Sequence, residues 1–337
     1  MSAFYPQYTG VFAAILERVK GQRVAIIGHA RPDGDCIGSQ VSLARGLAAR
    51  GVDVVCINGD PVPRRLQYLV AGMTFLRTDA EIAPHLDRLV IFVDCADQAR
   101  VGERLKLKFP KVLACVDHHL SNVGFAEFNL VDPASAATCE MLAGMLLDAG
   151  VPVDTAAAKA LYAGIMTDTG QFRFQSTSQR CFLLAGELVA RGASPAEAGH
   201  ELYERESHGR FKLLQRFLAS MRFECGGRVC VGFLPLGIFD ETGTTSEDTE
   251  GLVDYARSVD GVEVGVLIED KSDGGVKASL RGKDPVWRLD RIAAEFNGGG
   301  HACAAGLTCA EGVEKFYPRL IAALGRQLDA GRSGPAN

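Results

Sequence analysis

The chain has 337 residues, with 36 Lys and Arg against 41 Asp and Glu, which gives a formal net charge of −5. Its 47% hydrophobic and 23% charged residues are typical of a globular protein and exclude a disordered or fibrous chain. The length suggests about two domains of roughly 150 residues each, and the acidic excess disfavours unspecific binding to long nucleic-acid duplexes, which depends on many Lys and Arg side chains.

The lengths of the apolar runs and the spacing of the cysteines indicate the cellular compartment of the protein. The longest apolar run near the start, residues 11–16, is far shorter than the ~18 residues that a membrane-spanning helix needs. The ten cysteines are scattered singly with no C-x-x-C pair, so neither a disulfide framework nor a zinc ribbon is indicated. We therefore expect a cytoplasmic protein without membrane association.

The first half of the chain alternates strand and helix signals. Strands are predicted at 23–27, 52–57, 88–93 and 111–116, where short apolar runs rich in β-branched residues occur. Helices are predicted after Gly28 and at 138–149 and 155–166. Apolar strands separated by helices predict an α/β fold with a parallel sheet that carries helices on both faces. Ligands bind such sheets at the carboxyl ends of the strands.

The second half has a different pattern. Residues 178–221 are mostly helical, with a break at 192–195, and the strands predicted at 228–233, 262–268 and 276–281 follow. A turn at 272–275 predicts a hairpin, and helices are predicted at 246–258, 287–296 and 311–329. We predict a metal-binding catalytic domain at 1–190, a helical linker at 191–221, a smaller α/β domain at 222–330 and a flexible tail at 331–337.

The first chemical motif follows the first strand. His29, Asp33 and Asp35 lie within seven residues, on a loop shaped by Pro32 and Gly34. Carboxylates with an imidazole suit Mn²⁺, Mg²⁺ or Fe²⁺ better than a metal that prefers thiolates. The alternative is a simple Asp-Gly turn with a helix N-cap at Asp35.

Acidic residues and histidines recur at later strand and helix ends. Asp94 follows the third strand, Asp117-His118-His119 follows the fourth, and Asp168 ends an apolar helix. Several carboxylates at one sheet edge repel each other unless cations bind there. The candidate metal ligands are His29, Asp33, Asp35, Asp94, His118 and Asp168. They suffice for two divalent ions that share one carboxylate, ~3.5–4 Å apart as in two-metal phosphoryl chemistry.

A glycine-rich segment in the second half is a candidate phosphate site. Gly298, Gly299 and Gly300 allow backbone N–H groups to point at an anion, His301 adds a donor, and Arg281 offers a bidentate fork. The alternative is a turn before a buried helix of small residues at 302–306.

These motifs together resemble the DHH phosphoesterase superfamily. The sequences around His29–Ser39, Val93-Asp94, Asp117–His119 and Thr167–Gly170 resemble its four motifs. Ser279–Arg281 and Gly298–His301 with Ala305-Gly306 resemble the companion DHHA1 substrate-binding domain. Motif order, spacing and length are similar to the bacterial nanoRNase and pAp-phosphatase group, and the resemblance covers nearly the whole chain.

The resemblance implies a role for each motif residue. One metal would be held by His29, Asp33 and Asp94, and a second by Asp35, His118 and Asp168 together with a bridging Asp94. The implied catalytic residues are Asp94, His119 facing the scissile phosphate, and Asp117 orienting the histidines. The implied substrate contacts are His119, Arg281, Gly299, Gly300 and His301. The chain departs from the family in having Asn297 where a fourth glycine often stands.

The resemblance also implies an activity. A hydroxide bridging two divalent metals, Mn²⁺ or alternatively Mg²⁺, would hydrolyse short oligoribonucleotides to mononucleotides and 3′-phosphoadenosine 5′-phosphate (pAp) to AMP and phosphate. Expected partners are short single-stranded RNA or DNA and small nucleotides, with the choice between monomer and homodimer open. Alternatives are a phosphodiesterase for cyclic dinucleotides or linear pApA, and a nucleotide-sensing module on the same fold. The second alternative predicts lost ligands, whereas every candidate position here is filled.

Overall fold

The computed structural model describes residues 3–332. Its contacts divide the chain into two compact units, Met1–Arg205 and Glu206–Asn337. In the described part, no helix combines the length and the apolar character needed to cross a membrane.

The first unit contains a parallel six-stranded sheet. Its strands are β1 (Arg23–Ile27), β2 (Asp53–Ile57), β3 (Phe75–Leu76), β4 (Leu89–Val93), β5 (Ala114–Asp117) and β6 (Phe128–Val131). The spatial order is β3-β2-β1-β4-β5-β6, with every neighbouring pair parallel. The chain runs outward from β1 to one side and then returns to add β4 on the other. The gap between β1 and β4 is therefore the topological switch point, where ligands bind in open α/β sheets.

Helices cover both faces of this sheet. They are α1 (Thr9–Val19), α2 (Gly34–Ala48), α3 (Asp79–Ile82), α4 (Glu103–Lys108), α5 (Thr138–Asp148), α6 (Thr155–Asp168), α7 (Gln179–Ala190) and α8 (Pro195–Tyr203). Val24 and Ile26 of β1 belong to the core formed with α1, α2, α5 and α6. The alternate residue Ile27 belongs to a second core with Ile82 of α3 and Leu105 of α4. Because successive strand residues face opposite sides, this alternation confirms the predicted parallel sheet with helices on both faces.

Glycines bring α2 and α6 close together behind the switch point. A Cβ on Gly38 would collide with the carbonyl of Ala160, and one on Gly164 would collide with the side chain of Cys139 at the start of α5. The amino-terminal end of α2 therefore packs closely against the carboxyl-terminal end of α6, with the side chain of Cys139 against both glycines. This contact fixes where their acidic end residues lie.

The second unit has a mixed sheet. Its strands are β7 (Arg222–Glu224), β8 (Val229–Leu234), β9 (Val264–Asp270), β10 (Val276–Gly282), β11 (Gly299–His301) and β12 (Ala304–Cys309). The order is β11-β12-β10-β9-β8-β7, in which β8 and β9 are parallel and the other pairs antiparallel. Its helices are α9 (His208–Ala219), α10 (Ile238–Thr242), α11 (Leu252–Ser258), α12 (Leu289–Ala294) and α13 (Val313–Arg332).

Several predicted elements have different boundaries. The strand predicted at 111–116 begins at Ala114 and includes Asp117. The helix predicted at 246–258 is interrupted at Gly251, whose φ of 76° is left-handed. The helical stretch predicted at 178–221 is broken at 191–194, close to the predicted 192–195, and again at 204–207. The segment considered as a small-residue helix at 302–306 instead begins β12, because it pairs with β10 and with the glycine-rich segment.

The predicted linker and tail correspond to helical segments where they are described. Residues 191–221 contain α8 and α9, and the boundary between the compact units falls between these helices. Helix α13 continues to Arg332, and residues 333–337 of the predicted tail lie outside the described residues.

Candidate metal centre

The six predicted ligands meet at the carboxyl edge of the first sheet. His29 follows β1, Asp94 follows β4 and His118 follows β5, while the acidic residues of α2 and α6 lie at the ends of those helices. The six side chains form two groups whose ligand atoms lie within 4.8 Å of one another: His29, Asp33 and Asp94 in one group, and Asp35, His118 and Asp168 in the other.

The first group is formed across the switch point. The Nε2 atom of His29 lies 3.2 Å from Oδ2 of Asp94 and 3.6 Å from Oδ1 of Asp33. Asp33 is the N-cap of α2 and accepts a hydrogen bond from the Cys36 N–H at 3.1 Å. The N-cap of this helix is therefore Asp33, two residues before the Asp35 considered from the sequence, and Asp35 lies in the first turn.

The second group is centred on His118. Its Nε2 atom lies 3.3 Å from Oδ2 of Asp168 and 3.9 Å from Oδ2 of Asp35. Asp35 is fully buried, and its two oxygens accept hydrogen bonds from the N–H groups of Thr138 and Cys139, each at 2.7 Å. These N–H groups begin α5, so a helix N-terminus stabilises the carboxylate charge of Asp35.

Asp94 lies between the two groups. Its Oδ1 atom is 3.7 Å from Nε2 of His118 and accepts a hydrogen bond from Oγ1 of Thr138 at 3.2 Å. The backbone of Asp94 has a φ of 57°, which is uncommon outside glycine but tolerated by Asp and Asn. Its N–H binds the carbonyl of Val116 at 2.9 Å. The strand end and the α5 terminus therefore hold this side chain where each group can use one of its oxygens.

Backbone carbonyls select the same tautomer in both ligand histidines. Nδ1 of His29 lies 2.9 Å from the carbonyl of Ala30, and Nδ1 of His118 lies 3.3 Å from the carbonyl of Ser135. A carbonyl only accepts, so each Nδ1 carries a proton and each Nε2 faces the carboxylate groups, where the neutral ring would offer its lone pair to a cation. This is the arrangement that metal-ligating histidines generally require.

His119 is oriented differently. Its Nδ1 atom donates to Oδ1 of Asp117 at 2.6 Å, and the other oxygen of Asp117 accepts from Nδ2 of Asn122 at 2.8 Å. Asp117 is fully buried. His119 also joins a third potential metal group with Asp94 and His118. Asp117 therefore fixes the orientation of the His119 ring through Nδ1.

Burial and like charge raise the pKa of two carboxyl groups. Burial is the largest cause for Asp35, whose pKa is raised well above its ordinary value, with added repulsion from Asp94 and Asp168. Burial and nearby carboxylates raise the pKa of Asp168 to about 6, against the opposing hydrogen bond from His118. Charging these two groups together is costly without a cation.

The pKa values of His29 and His118 are raised as well, which favours the charged form of each histidine. Burial alone would lower the pKa of His29, but Cys36 and the carboxylates of Asp33 and Asp94 outweigh it and raise the pKa well above the ordinary value. Burial likewise opposes the charged form of His118, and Asp168 and Asp35 reverse the direction. Burial raises the pKa of Asp33 and Asp94, but hydrogen bonds and charge from His29 lower both overall. The pocket thus attracts positive charge in the absence of metal.

These observations fit a metal centre. Carboxylate oxygens dominate the donor set, two neutral imidazoles can supply Nε2, and the buried acidic charges need compensation by cations. Such a set suits hard or borderline divalent ions. The residues present can therefore hold metal.

Asp168→Asn should raise the melting temperature of the metal-free protein by about 2–4 °C near pH 7.5, the change that about 1 kcal/mol produces in a domain of this size. A carboxyl group whose folded-state pKa is about 6 costs stability above that pH, and asparagine removes the cost. Saturating Mn²⁺ should raise the melting temperature of the wild type more than that of the variant, which lacks a ligand. Differential scanning fluorimetry with EDTA and with Mn²⁺ measures both effects.

The control for this prediction is Asp87→Asn. Asp87 is exposed and pairs with Arg23 away from the candidate centre. An equal Mn²⁺ response in Asp168→Asn and Asp87→Asn would contradict the ligand role of Asp168.

The predicted phosphate residues lie together on the second sheet. Arg281 of β10 is the register partner of Ala304, which in turn pairs with His301 of β11. Directly opposed residues share a sheet face, so Arg281 and His301 lie on the same face, about 9–10 Å apart across two strand spacings. Gly299 is on that face as well, opposite Gly306.

The glycine-rich segment is the edge strand β11 rather than a loop. A Cβ on Gly298 would collide with Gly306, and one on Gly300, at a φ of 140°, would collide with Ala304. Asn297, the departure from the family pattern, has a φ of 60°. Asparagine tolerates the left-handed region better than most residues, so it can occupy a position where glycine is common.

Sequence reasoning missed the residues that hold the ligands in place. Thr138, Ser135 and Asn122 contact Asp94, His118 and Asp117, respectively. Each lies on a connection whose path depends on the sheet order. The only local signal is Thr138, a hydroxyl residue at the start of a predicted helix.

Comparison with protein-family models gives two matches. Residues 23–165 match the DHH family, N-terminal domain, and residues 226–329 match the DHHA1 domain. The first match contains five of the six ligand candidates and the second contains Arg281 and His301. The order of the two matches agrees with the order expected from the sequence motifs.

Curated proteins and solved structures extend these matches over the chain. The bifunctional oligoribonuclease and PAP phosphatase NrnA of Thermus thermophilus is 32% identical over 317 residues, covering 94% of this chain and 93% of the relative. The protein of the same name from Bacillus subtilis is 28% identical and covers 82% and 86%. The crystal structure of an exopolyphosphatase-related protein from Bacteroides fragilis has the same fold, with a TM-score of 0.89 at 23% identity and coverage of 97% and 98%. The chain belongs to the DHH family and carries a DHHA1 domain after its DHH domain.

Proposed function

We propose that this chain is a metal-dependent phosphoesterase that hydrolyses short oligoribonucleotides to mononucleotides and pAp to AMP and phosphate. The observation that carries the proposal is the position of Asp94 between two His/Asp groups. The chain is also 32% identical, over nearly its whole length, to a protein named for both activities.

The proposed cofactors are two divalent cations, with Mn²⁺ preferred over Mg²⁺. His29, Asp33 and Asp94 would hold one, and Asp35, His118 and Asp168 would hold the other with Asp94 shared. The imidazole ligands favour Mn²⁺, because Mg²⁺ takes oxygen ligands almost exclusively. When bound, the cations would neutralise charge on the phosphate oxygens and lower the pKa of a water molecule.

His119 and Asp117 would act on the substrate side of the centre. Asp117 fixes the Nδ1–H tautomer of His119 through the 2.6 Å hydrogen bond, and Asn122 fixes Asp117. His119 would then use Nε2 to bind a phosphate oxygen or, when protonated, to give a proton to the leaving oxygen. A side chain held this way loses little freedom on binding substrate.

The second unit would also bind nucleotide. One face of β10, β12 and β11 carries Arg281 and His301, with the small residues Ala304, Gly306 and Gly299 between and beside them. Helices of the second unit cover β8 and β9 on this face, where Leu267 and Cys230 are buried with α9 and α11 residues. We propose that this face of β10, β12 and β11 binds a nucleotide, with the side chains of Arg281 and His301 contacting its phosphate.

Arg281→Ala and His301→Ala should each raise KM about tenfold and change kcat little, because contacts made equally in the ground and transition states act on binding. Initial rates on a dinucleotide measure both constants. The control is Arg326→Ala, an arginine of α13 that pairs with Glu295. Unchanged KM in both variants would remove this sheet face from substrate binding.

A substrate panel tests the proposal. The purified full chain with Mn²⁺ is offered di- to pentanucleotides, pAp, cyclic di-AMP, linear pApA and pyrophosphate. We expect mononucleotides from the oligonucleotides and phosphate from pAp, with both activities abolished by EDTA. Preferential hydrolysis of cyclic di-AMP or pApA would favour the phosphodiesterase alternative. Nucleotide binding without hydrolysis of any compound in the panel would favour the sensing module.

A further inference from the structure

The loop between β6 and α5, residues 132–137, lies directly behind the second metal group. The carbonyl of Ser135 in this loop accepts the Nδ1–H of His118 at 3.3 Å. The loop then leads into Thr138 and Cys139, whose N–H groups bind both oxygens of Asp35. The position of the 132–137 loop therefore determines how two of the three residues in that group are held.

Arg180 of α7 holds the 132–137 loop from outside the centre. Its Nε atom donates to Oε1 of Glu140 at 2.8 Å, and its Nη2 atom donates to Oδ2 of Asp132 at 3.2 Å and to Oγ of Ser135 at 3.0 Å. The other oxygen of Glu140 accepts from the N–H of Ala136 at 2.6 Å. The Arg180 guanidinium thus contacts Asp132 and Ser135 of the loop directly, and Glu140 of α5 connects it to Ala136 near the end of the loop.

The amino-terminal segment completes this network. The ring of Tyr5 lies under the Arg180 guanidinium at 4.1 Å, and its hydroxyl is 2.8 Å from Oγ of Ser135. Asp148 at the end of α5 accepts the N–H groups of Phe4 and Tyr5 at 2.9 and 2.7 Å. Tyr5 is fully buried, so its position is fixed by packing as well as by hydrogen bonds.

The two carboxylates that pair with Arg180, those of Asp132 and Glu140, favour an arginine at this position. The Glu140 side chain is fully buried and Asp132 is 15% exposed. Buried carboxylates need a partner with matching geometry, and the planar fork of arginine provides several donors at once. Neither carboxylate belongs to the metal groups. We therefore relate Asp132 and Glu140 to the two residues that the loop holds in place, His118 and Asp35.

We infer that Arg180 is a positioning residue for the second metal subsite, formed by Asp35, His118 and Asp168. It acts through the 132–137 loop by fixing the Ser135 carbonyl behind His118 and the α5 N–H groups behind Asp35. This inference rests on the proposed function only in assigning a metal to that group. In the other subsite, His29 and Asp33 make no hydrogen bond with the loop or with the start of α5 among those described above, and only the shared Asp94 does, through Oγ1 of Thr138 at 3.2 Å.

The test measures Mn²⁺ binding to the metal-free full-length protein, with free Mn²⁺ detected by electron paramagnetic resonance. The variant is Arg180→Met. The control is Arg191→Met, which removes an arginine of similar exposure just beyond the end of α7 that pairs with Glu187. We expect Arg180→Met to weaken one of two binding steps about tenfold, the range found for residues that orient metal ligands, and the control to leave both steps unchanged.

A double-mutant cycle separates positioning from general destabilisation. His118→Ala should abolish the second binding step by itself, and Arg180→Met should then have no added effect on Mn²⁺ binding. Unchanged binding in Arg180→Met, equal weakening of both steps, or an additive loss in the His118→Ala background would overturn the inference.

Arg180→Met leaves Glu140 buried without its partner, which is strongly destabilising in general. Where this variant fails to fold, Arg180→Met/Glu140→Gln takes its place, since it removes the fully buried charge of Glu140 and leaves Asp132 its hydrogen bonds from the Ala134 N–H and the Ser135 hydroxyl, and the same binding result is expected. Selective loss of the second binding step would support the inference even if the substrate panel gave no hydrolysis. The failure of the proposed function is thus distinguishable from the failure of this inference.

Discussion

Asp94→Asn should lower kcat on dinucleotides and on pAp by at least about 10³-fold in buffer that contains excess Mn²⁺. The substitution removes the carboxylate that lies 3.2 Å from Nε2 of His29 and 3.7 Å from Nε2 of His118. Loss of a single group that stabilises charge in the transition state already lowers kcat by about 10²–10³-fold in other enzymes. Asparagine tolerates the φ of 57° at this position, so the backbone should keep its path. Initial rates and Mn²⁺ binding on the same preparation measure the effect.

The matched control is Asp97→Asn, three residues further along. Asp97 caps a short helical turn by accepting the N–H of Ala99 at 2.7 Å, and asparagine can do the same. This variant should retain wild-type rates. If Asp94→Asn stayed within a few fold of the control at saturating metal, the assignment of Asp94 to both metals would be wrong.

His119→Asn should lower kcat about 10²-fold while leaving Mn²⁺ affinity within about twofold, since a positioned acid or base typically contributes 10²–10⁴. The asparagine amide can still donate to Asp117, which would otherwise be left buried with one partner fewer. What it removes is Nε2, the atom proposed to meet the substrate. Rates and metal titrations on the two proteins separate catalysis from metal binding.

This experiment also decides between two roles of His119. His119, Asp94 and His118 form a group that could hold metal, so His119 could be a ligand. A fall in Mn²⁺ affinity that parallels the fall in kcat would establish that role and overturn the substrate role. His200→Asn, at an exposed histidine of α8 that pairs with Glu204, serves as the control for both measurements.

The strands and helices that carry the first site were predictable because their signals are local. The apolar runs that became β1 and β4 place a histidine or a carboxylate immediately after a buried strand. In a parallel sheet all such ends lie on one edge, so a short list of polar residues at strand ends already defines the candidate ligands. The pairing order of the strands is not needed for that step.

Short edge elements were not predictable in the same way. β3 has two residues and β11 has three, two of them glycine. β3 is too short for an alternating pattern, and the glycines of β11 have low strand propensity, so each becomes a strand because a neighbouring strand offers hydrogen-bonding groups. The glycine-rich segment therefore has no strand signal in the sequence, although its pairing with β12 is what aligns His301 with Arg281.

The sequence alone determined the composition class, the parallel sheet, the list of ligand candidates and the family resemblance, because residue type and spacing along the chain carry that information. The packing of the elements established that Thr138 at the start of α5 holds Asp94, that Asn122 holds Asp117, and that Arg180 reaches the loop behind His118. These relations join residues on different elements. They depend on the order of strands in the sheet and on how closely α2, α5 and α6 pack, and no local pattern specifies either.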